Sequence, residues 1–274
     1  MYPYLEIEDQ LGHTIVLPQT PQRVVSLVPS ITYTLYKLGL DQQVAGITRF
    51  CKWPAHWKKQ KRVVGGTKDF KPERIAALQP DLILANKEEN TKDLVLALQS
   101  LAPVYVSDVV DMATNNQFIA DLGRIFNRIP SAEKLNDEIT IQHQMLQAGL
   151  GARPLKAAYM IWKNPWMSIG GDTFINYMMT QAGLDNVFNS QKRYPTLSLD
   201  MLKTINPEVI LLSSEPYPFK EQDKSYLQEI FPDTCILLVQ GEAFTWFGAY
   251  PAQAFSYIFQ LLKQLNQCIQ NKKN

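Results

Sequence analysis

The stretch PERIAALQPDLILAN, Pro72 to Asn86, returns in altered form as LDMLKTINPEVILLS, Leu199 to Ser213. In each copy an acidic residue (Glu73, Asp200) opens a short helical segment. A proline (Pro80, Pro207) stops it, and an apolar run follows. Proline cannot donate to a helix and clashes with the preceding turn. An apolar run without polar alternation fits a strand covered on both faces, as in a parallel sheet. A second pair, TLYKLGLDQQVAG (34–46) and YMMTQAGLDNVFN (177–189), carries the same glycine after a helical segment. The two pairs predict two related α/β units.

Outward from these stretches, strand and helix alternate. RVVSLVPS (23–30) reads as a buried strand, with Ser30 placed as the N-cap of the helix ITYTLYKLGL (31–40). QQVAGIT, DLILAN and PVYVSD read as further strands, with helices between them. YLEIED and HTIVLP, joined at Leu11-Gly12, predict a hairpin ahead of the first unit. The rhythm breaks at SAEKLNDEITIQHQMLQAGL (131–150), which has no strand before it. Leu135, Ile139, Ile141, Met145 and Leu146 form its apolar stripe. After it KAAYMIW, EVILLSS and CILLV alternate with helices, and PAQAFSYIFQLLKQL closes the chain. The expected architecture is two Rossmann-like lobes with parallel sheets, residues 1–128 and 153–274, joined by a single long helix, 129–152.

Composition bounds the function. The 274 residues are 46% apolar and 19% charged, enough for real cores. A net charge of +1 makes no global case for nucleic acid. Cys51, Cys235 and Cys268 stand far apart with no C-x-x-C, so neither a zinc site nor a disulfide framework is expected. MYPYLEIEDQLGHTIVLP has no basic start followed by an apolar run, and no segment approaches a membrane span. From these residues the chain is expected to be soluble and without an export signal.

In open parallel sheets, ligands sit beyond the carboxyl ends of the strands. Ser30 follows the first strand. RFCKWPAHW supplies Arg49, Phe50, Cys51 and Trp53 after the second, and Lys68 follows VVGG, whose glycines are expected to make a tight turn. KEEN supplies Glu88 and Glu89. In the second lobe KNPWMS follows Trp162 and carries Trp166, while Arg193 and Tyr194 precede the repeat. EPYPF and GEAFTWFGAY supply Glu215, Tyr217, Glu242 and Trp246. All five tryptophans fall at such ends, which predicts two aromatic rims lining an interlobe cleft. Cys51 reads as a pocket-wall residue, or as a nucleophile with His56 as its base. The Glu88/Glu89 pair fits acid–base work, a cation, or a solvated surface.

PQRVVSLVPSITYTLYKLGL, GITRFCKWP, VGGTKDFKPERIAALQPDLILANKEEN and GEAFTWFGAY together resemble class III periplasmic substrate-binding proteins of ABC importers. This group includes cobalamin and ferric-siderophore receptors. TRFC with NKEEN resembles its helical-backbone metal receptor branch. No metal-ligand residues are assigned, and direct metal binding stays open beside binding inside a chelate. A monomer is expected because the residues make no case for an oligomer. The resemblance implies a non-enzymatic protein with no intrinsic cofactor. Its ligand would be a cobalt- or iron-containing chelate of the cobalamin, ferric-siderophore or haem class. It implies a periplasmic or envelope location, against a cytoplasmic one if Met1 is the true start. It also implies an ABC permease partner, docked through acidic residues that align with Glu73 and Asp200. Tyr33 departs from the glutamate of many members. Two rivals stand beside this reading. One is a cytoplasmic enzyme or metallocofactor-handling protein using Cys51 and Glu88/Glu89. The other is an intracellular sensor signalling through Glu73 and Asp200.

Overall fold

The computed structural model describes residues 5–273. Tyr4, the first residue of the expected hairpin, lies outside them. The chain divides into two compact units. Unit 1 runs to Ile139 and takes in Trp246–Tyr250; unit 2 comprises Thr140–Thr245 and the chain from Pro251.

Unit 1 begins with the hairpin β1 (Leu5–Glu8) and β2 (Thr14–Leu17). Residues of β2 alternate exposed and buried, the pattern of a half-covered ribbon. The buried Asp9 holds its turn, accepting from the backbone N–H of Leu11 at 2.9 Å and His13 at 2.8 Å. Asp9 also accepts from Val106 N–H at 3.2 Å, which seals the hairpin onto the sheet edge. Then follow β3 (Val24–Ser26), α1 (Pro29–Lys37), β4 (Val44–Ile47), α2 (Trp57–Gln60), β5 (Arg62–Val63) and α3 (Pro72–Ala76). The unit continues with β6 (Leu82–Asn86), α4 (Lys92–Leu98), β7 (Val104–Ser107) and α5 (Met112–Ile125). The helix α6 (Ile129–Ala148) leads into unit 2.

Unit 2 contains β8 (Leu155–Met160), β9 (Trp166–Met167), α7 (Phe174–Gln181), β10 (Leu184–Asn186), β11 (Thr196–Leu197) and α8 (Leu199–Ile205). It continues with β12 (Val209–Ser213), α9 (Glu221–Ile230), β13 (Cys235–Val239), α10 (Glu242–Thr245) and α11 (Pro251–Lys273). No helix among the described residues is long and apolar enough to cross a membrane.

The protein is α/β, with two parallel sheets. Their strand orders are β5-β4-β3-β6-β7 and β10-β8-β12-β13. Removing edge strand β5 makes the orders equivalent, with β4, β3, β6 and β7 matching β10, β8, β12 and β13. The connecting helices match as well, α1 with α7, α3 with α8, and α4 with α9. The sequence repeat is therefore a repeat of topology. Detail follows it. Asp81 accepts from the N–H of Gln22 (2.6 Å) and Arg23 (2.8 Å), just ahead of β3. Glu208 accepts from Lys156 N–H (3.1 Å) on β8. Gln79 and Asn206, each just before its proline, both take positive φ (46° and 51°). Every residue of β6 and of β12 is buried, as strands sandwiched between helix layers require.

Several expectations are corrected. Ser30 is not an N-cap: α1 starts at Pro29, with Val28 at the cap. Proline's fixed φ suits the first helical position, so the helix begins two residues early. The long helix begins at Ile129, at the start of the expected 129–152 span and two residues before the serine that opens the quoted stretch, but it ends at Ala148. Of its expected stripe, Leu135, Ile139 and Leu146 are buried, but Ile141 and Met145 are exposed. Trp57 is not a rim residue. It is fully buried, donates to Asp41 Oδ1 at 2.8 Å, and packs edge-on to Tyr36. Cys235 and Cys268 form a disulfide joining β13 to α11. Their 33-residue separation resembled no framework, because tertiary packing rather than spacing brings them together.

Candidate functional site

Beyond the strand ends of unit 1, two asparagines organise the loops, and neither drew notice in the sequence. Asn86, the last residue of β6, accepts on Oδ1 from the N–H of Glu88 (2.9 Å) and Glu89 (3.2 Å). Its Nδ2 donates to Ser107 Oγ and to Ser107 O, both at 3.1 Å. Asn90 accepts from Asn86 N–H at 2.9 Å and donates to Thr67 O at 2.7 Å. The KEEN turn is thus tied to β7 and to the loop after β5. An asparagine ending an apolar strand, with another four residues on, was the available signal. Buried amides must find such partners.

These bonds present Glu88 and Glu89 at the surface of unit 1. Although Glu89 keeps exposed surface, the protein crowded around it raises its carboxyl above the ordinary range. Lys68 opposes this, Glu88 adds repulsion, and Thr67 donates to it. Lys87 pairs with Asp108 at 2.6 Å.

After β4, Arg49 donates to Asp69 Oδ2 at 2.8 Å, and its guanidinium lies 4.8 Å from the Phe50 ring centre. That hydrogen bond holds the Asp69 carboxyl below its usual value. Arg49 N–H also donates to Gly65 O at 2.8 Å, closing the glycine turn onto β4. Phe50 and Trp53 are about half exposed, at 49% and 51%.

Cys51, between them in sequence, is buried. It is 2% exposed, donates to Thr32 Oγ1 (3.2 Å), and lies 3.4 Å from Thr48 Oγ1. Burial pushes its thiol up, which the threonine hydroxyls only partly offset. His56 faces Asp41 and Tyr36 instead. A buried, protonated thiol without a base is a poor nucleophile. Ser30 is also buried, its Oγ without a hydrogen-bond partner.

Unit 2 presents a run of aromatic rings. Trp162, 40% exposed, meets Tyr217 edge-on at 5.8 Å, and Tyr217 meets Phe219 at 4.7 Å. Trp166 lies parallel between Phe219 (6.0 Å) and Tyr226 (6.5 Å). Such offset pairs add to area burial. Lys163 anchors the run, 5.7 Å from the Trp166 ring centre and donating to Asp223 Oδ1 at 2.6 Å. Its ammonium is held above the usual value, first by that bond. Burial alone would raise the Asp223 carboxyl, but Lys163 and the Lys220 N–H outweigh it and lower it.

The antiparallel pair β9–β11 leads to Arg193, which takes φ +58°. Arg193 donates through its N–H to Asp172 Oδ1 at 2.6 Å, with its guanidinium 5.4 Å from the Tyr194 ring centre. Glu215 accepts from Thr245 Oγ1 at 2.8 Å, and Glu242 from Ser214 Oγ at 3.3 Å.

Trp246 belongs to unit 1. It is 6% exposed, 6.4 Å from the Tyr33 ring centre and 5.1 Å from that of Tyr250. Gly248 fixes this segment, bonding through its N–H and C=O to Asn115. Glu73 and Asp200 stand exposed in the first turns of α3 and α8, equivalent positions in the two units. Among the described residues no group of three His, Cys, Asp or Glu could hold a metal ion.

A sequence model of the periplasmic binding protein family matches residues 24–234. The chain belongs to this family, one of substrate-binding proteins rather than enzymes. A vitamin B12-binding protein of Yersinia pestis (strain Pestoides F) is 29% identical over 206 residues, covering 73% of this chain and 72% of that protein. Two solved structures share the fold. The periplasmic heme-binding protein RhuT from Roseiflexus sp. RS-1, in apo form, matches with a TM-score of 0.78 at 16% identity. The match covers 90% of this chain and 99% of that one. The siderophore binding protein BauB, bound to two acinetobactin molecules and ferric iron, matches at 0.78 and 19% identity. Here the coverage is 94% of this chain and 98% of that one.

Proposed function

We propose that the chain captures a large, partly apolar metal chelate of the corrinoid, haem or ferric-siderophore class for an ABC permease. The carrying observation is that each unit exposes aromatic rings beyond its own strand ends: Phe50 and Trp53 in unit 1, Trp162 with Tyr217 in unit 2. Such rings lose little entropy on binding and offer flat apolar area. Arg49, Lys68 and Arg193 would meet acidic groups of the ligand. Glu88, Glu89, Glu215 and Glu242 would accept from its donors, and Trp166, Tyr194 and Trp246 would back the contact surface. Ser30 and Cys51, both buried, would support it from behind.

In this reading residues 1–128 and 153–274 act as lobes with 129–152 as connector, except that Trp246–Tyr250 serves the first lobe. Glu73 and Asp200 dock the permease, where acidic rim charges orient and speed encounter. The disulfide supports residence in an oxidising compartment outside the cytoplasm. The buried, raised thiol of Cys51 disfavours the enzymatic alternative.

The test is thermal unfolding against cobalamin, cobinamide, haem, several ferric siderophores and free divalent metals. A ligand at 100 times its Kd should add about 2.7 kcal/mol. Tryptophan quenching by the same compound should follow, and Trp162→Ala should weaken both. A shift from bare metals alone would overturn the chelate reading.

A further inference from the structure

Residues 49–74 hold nine Lys or Arg against two Asp or Glu, a net +7. The whole chain carries +1, so the remaining residues carry −6. A nearly neutral protein therefore concentrates positive charge in one stretch of unit 1. Part of it is spent internally. Arg49 is bonded to Asp69, and Lys61 reaches Asp41 O beneath the Trp57 ring. Lys58 and Lys59 on α2 and Arg62 on edge strand β5 are exposed and make no ion pair among the described residues. Lys37, in the last turn of α1, is exposed as well. Asp41 is the carboxylate facing α2, and it already accepts from Trp57, with His56 at 3.9 Å. Tyr36, 37% exposed, packs edge-on to Trp57 and to His56, which sets an aromatic ring with a polar tip against the start of α2.

We propose that this surface, Tyr36 and Lys37 with Lys58, Lys59 and Arg62, rests on the anionic headgroups of a lipid bilayer. Lysine and arginine near an anionic bilayer each contribute attraction within a Debye length. Tyrosine is favoured at the headgroup level, where one end of the ring is apolar and the other wet. A protein of the periplasmic family works beside such a surface. Holding unit 1 there would raise its local concentration near a membrane partner without using the aromatic surface assigned to ligand.

The full-length protein is to be sedimented with vesicles of mixed phosphatidylglycerol and phosphatidylcholine, and with pure phosphatidylcholine. Binding is expected only to the anionic vesicles, and it should weaken as salt rises. The Lys58→Glu/Lys59→Glu/Arg62→Glu variant should bind at least roughly 100-fold more weakly. The same three positions changed to Gln provide a milder variant if the first fails to fold. A Lys134→Glu/Lys203→Glu/Lys263→Glu variant, with the same change in net charge elsewhere, should bind much as the parent does. Equal binding to neutral vesicles, or equal loss in both Glu variants, would overturn the proposal. Full competition by inorganic phosphate at matched phosphate concentration would overturn it too, in favour of a free-anion site.

Discussion

Asp121 shows how a single buried carboxylate behaves in this fold. It is 3% exposed and accepts from Tyr105 Oη and Gln117 Nε2, each at 2.8 Å. Burial raises its carboxyl above the ordinary range, against the pull of those donors and of Arg124. The native state therefore holds this proton more tightly than the unfolded chain does. Its contribution to stability is greatest below the unfolded value of about 3.8 and is lost as pH rises through the native one. At neutral pH, Asp121→Asn should be neutral or slightly stabilising in a denaturant melt, and the difference should vanish in acid. Asp121→Ala strands two donors and should cost about 1–3 kcal/mol. A large loss in the Asn variant at neutral pH would contradict the assigned direction.

At the scale of elements, the disulfide ties the first residue of β13 to α11. Closing a loop of this length restricts the unfolded chain by about 3–4 kcal/mol on the chain-entropy account. Reduction should lower the melting temperature accordingly, with near-native circular dichroism retained below the transition. An unchanged melt would mean that α11 docks equally well without the bond. The segment between α10 and α11 is the other fixed point. Gly248 has φ +77°, and a Cβ there would collide with Thr34 Oγ1. Thr34 Oγ1 itself accepts from Ala249 N–H at 3.0 Å. Gly248→Ala is strained in conformation and in space, and it should destabilise by about 2 kcal/mol or more. Urea unfolding followed by tryptophan fluorescence would check it.

For the whole molecule, the repeat bears on the proposed docking. Glu73 and Asp200 occupy the same place in each half, the exposed first turn of the helix that feeds an interior strand, β6 or β12. An acidic residue there also complements the helix dipole, so conservative removal should cost little stability. Glu73→Lys with Asp200→Lys should abolish capture of a permease by immobilised protein while leaving the ligand-induced thermal shift intact. Loss of both together would point to misfolding rather than docking. Retained capture would remove these residues from the docking surface.

Local chemistry wrote most of this into the chain. Unbroken apolar runs mark the buried strands, because both faces of a parallel sheet are covered. Glycines and prolines mark the helix ends, because backbone sterics act within a few residues. The repeat of Pro72–Asn86 as Leu199–Ser213 therefore marks two α/β units in the sequence alone. Tertiary structure decided what depends on residues distant in sequence. It paired Cys235 with Cys268, buried Trp57 against Tyr36, and returned Trp246–Tyr250 to unit 1. It also used Asn86 and Asn90 to stitch the loops beyond the strand ends. Burial, hydrogen-bond satisfaction and thiol proximity are properties of packed neighbours. No spacing along the chain encodes them, so an aromatic or cysteine legible in the sequence acquired its role only in the fold.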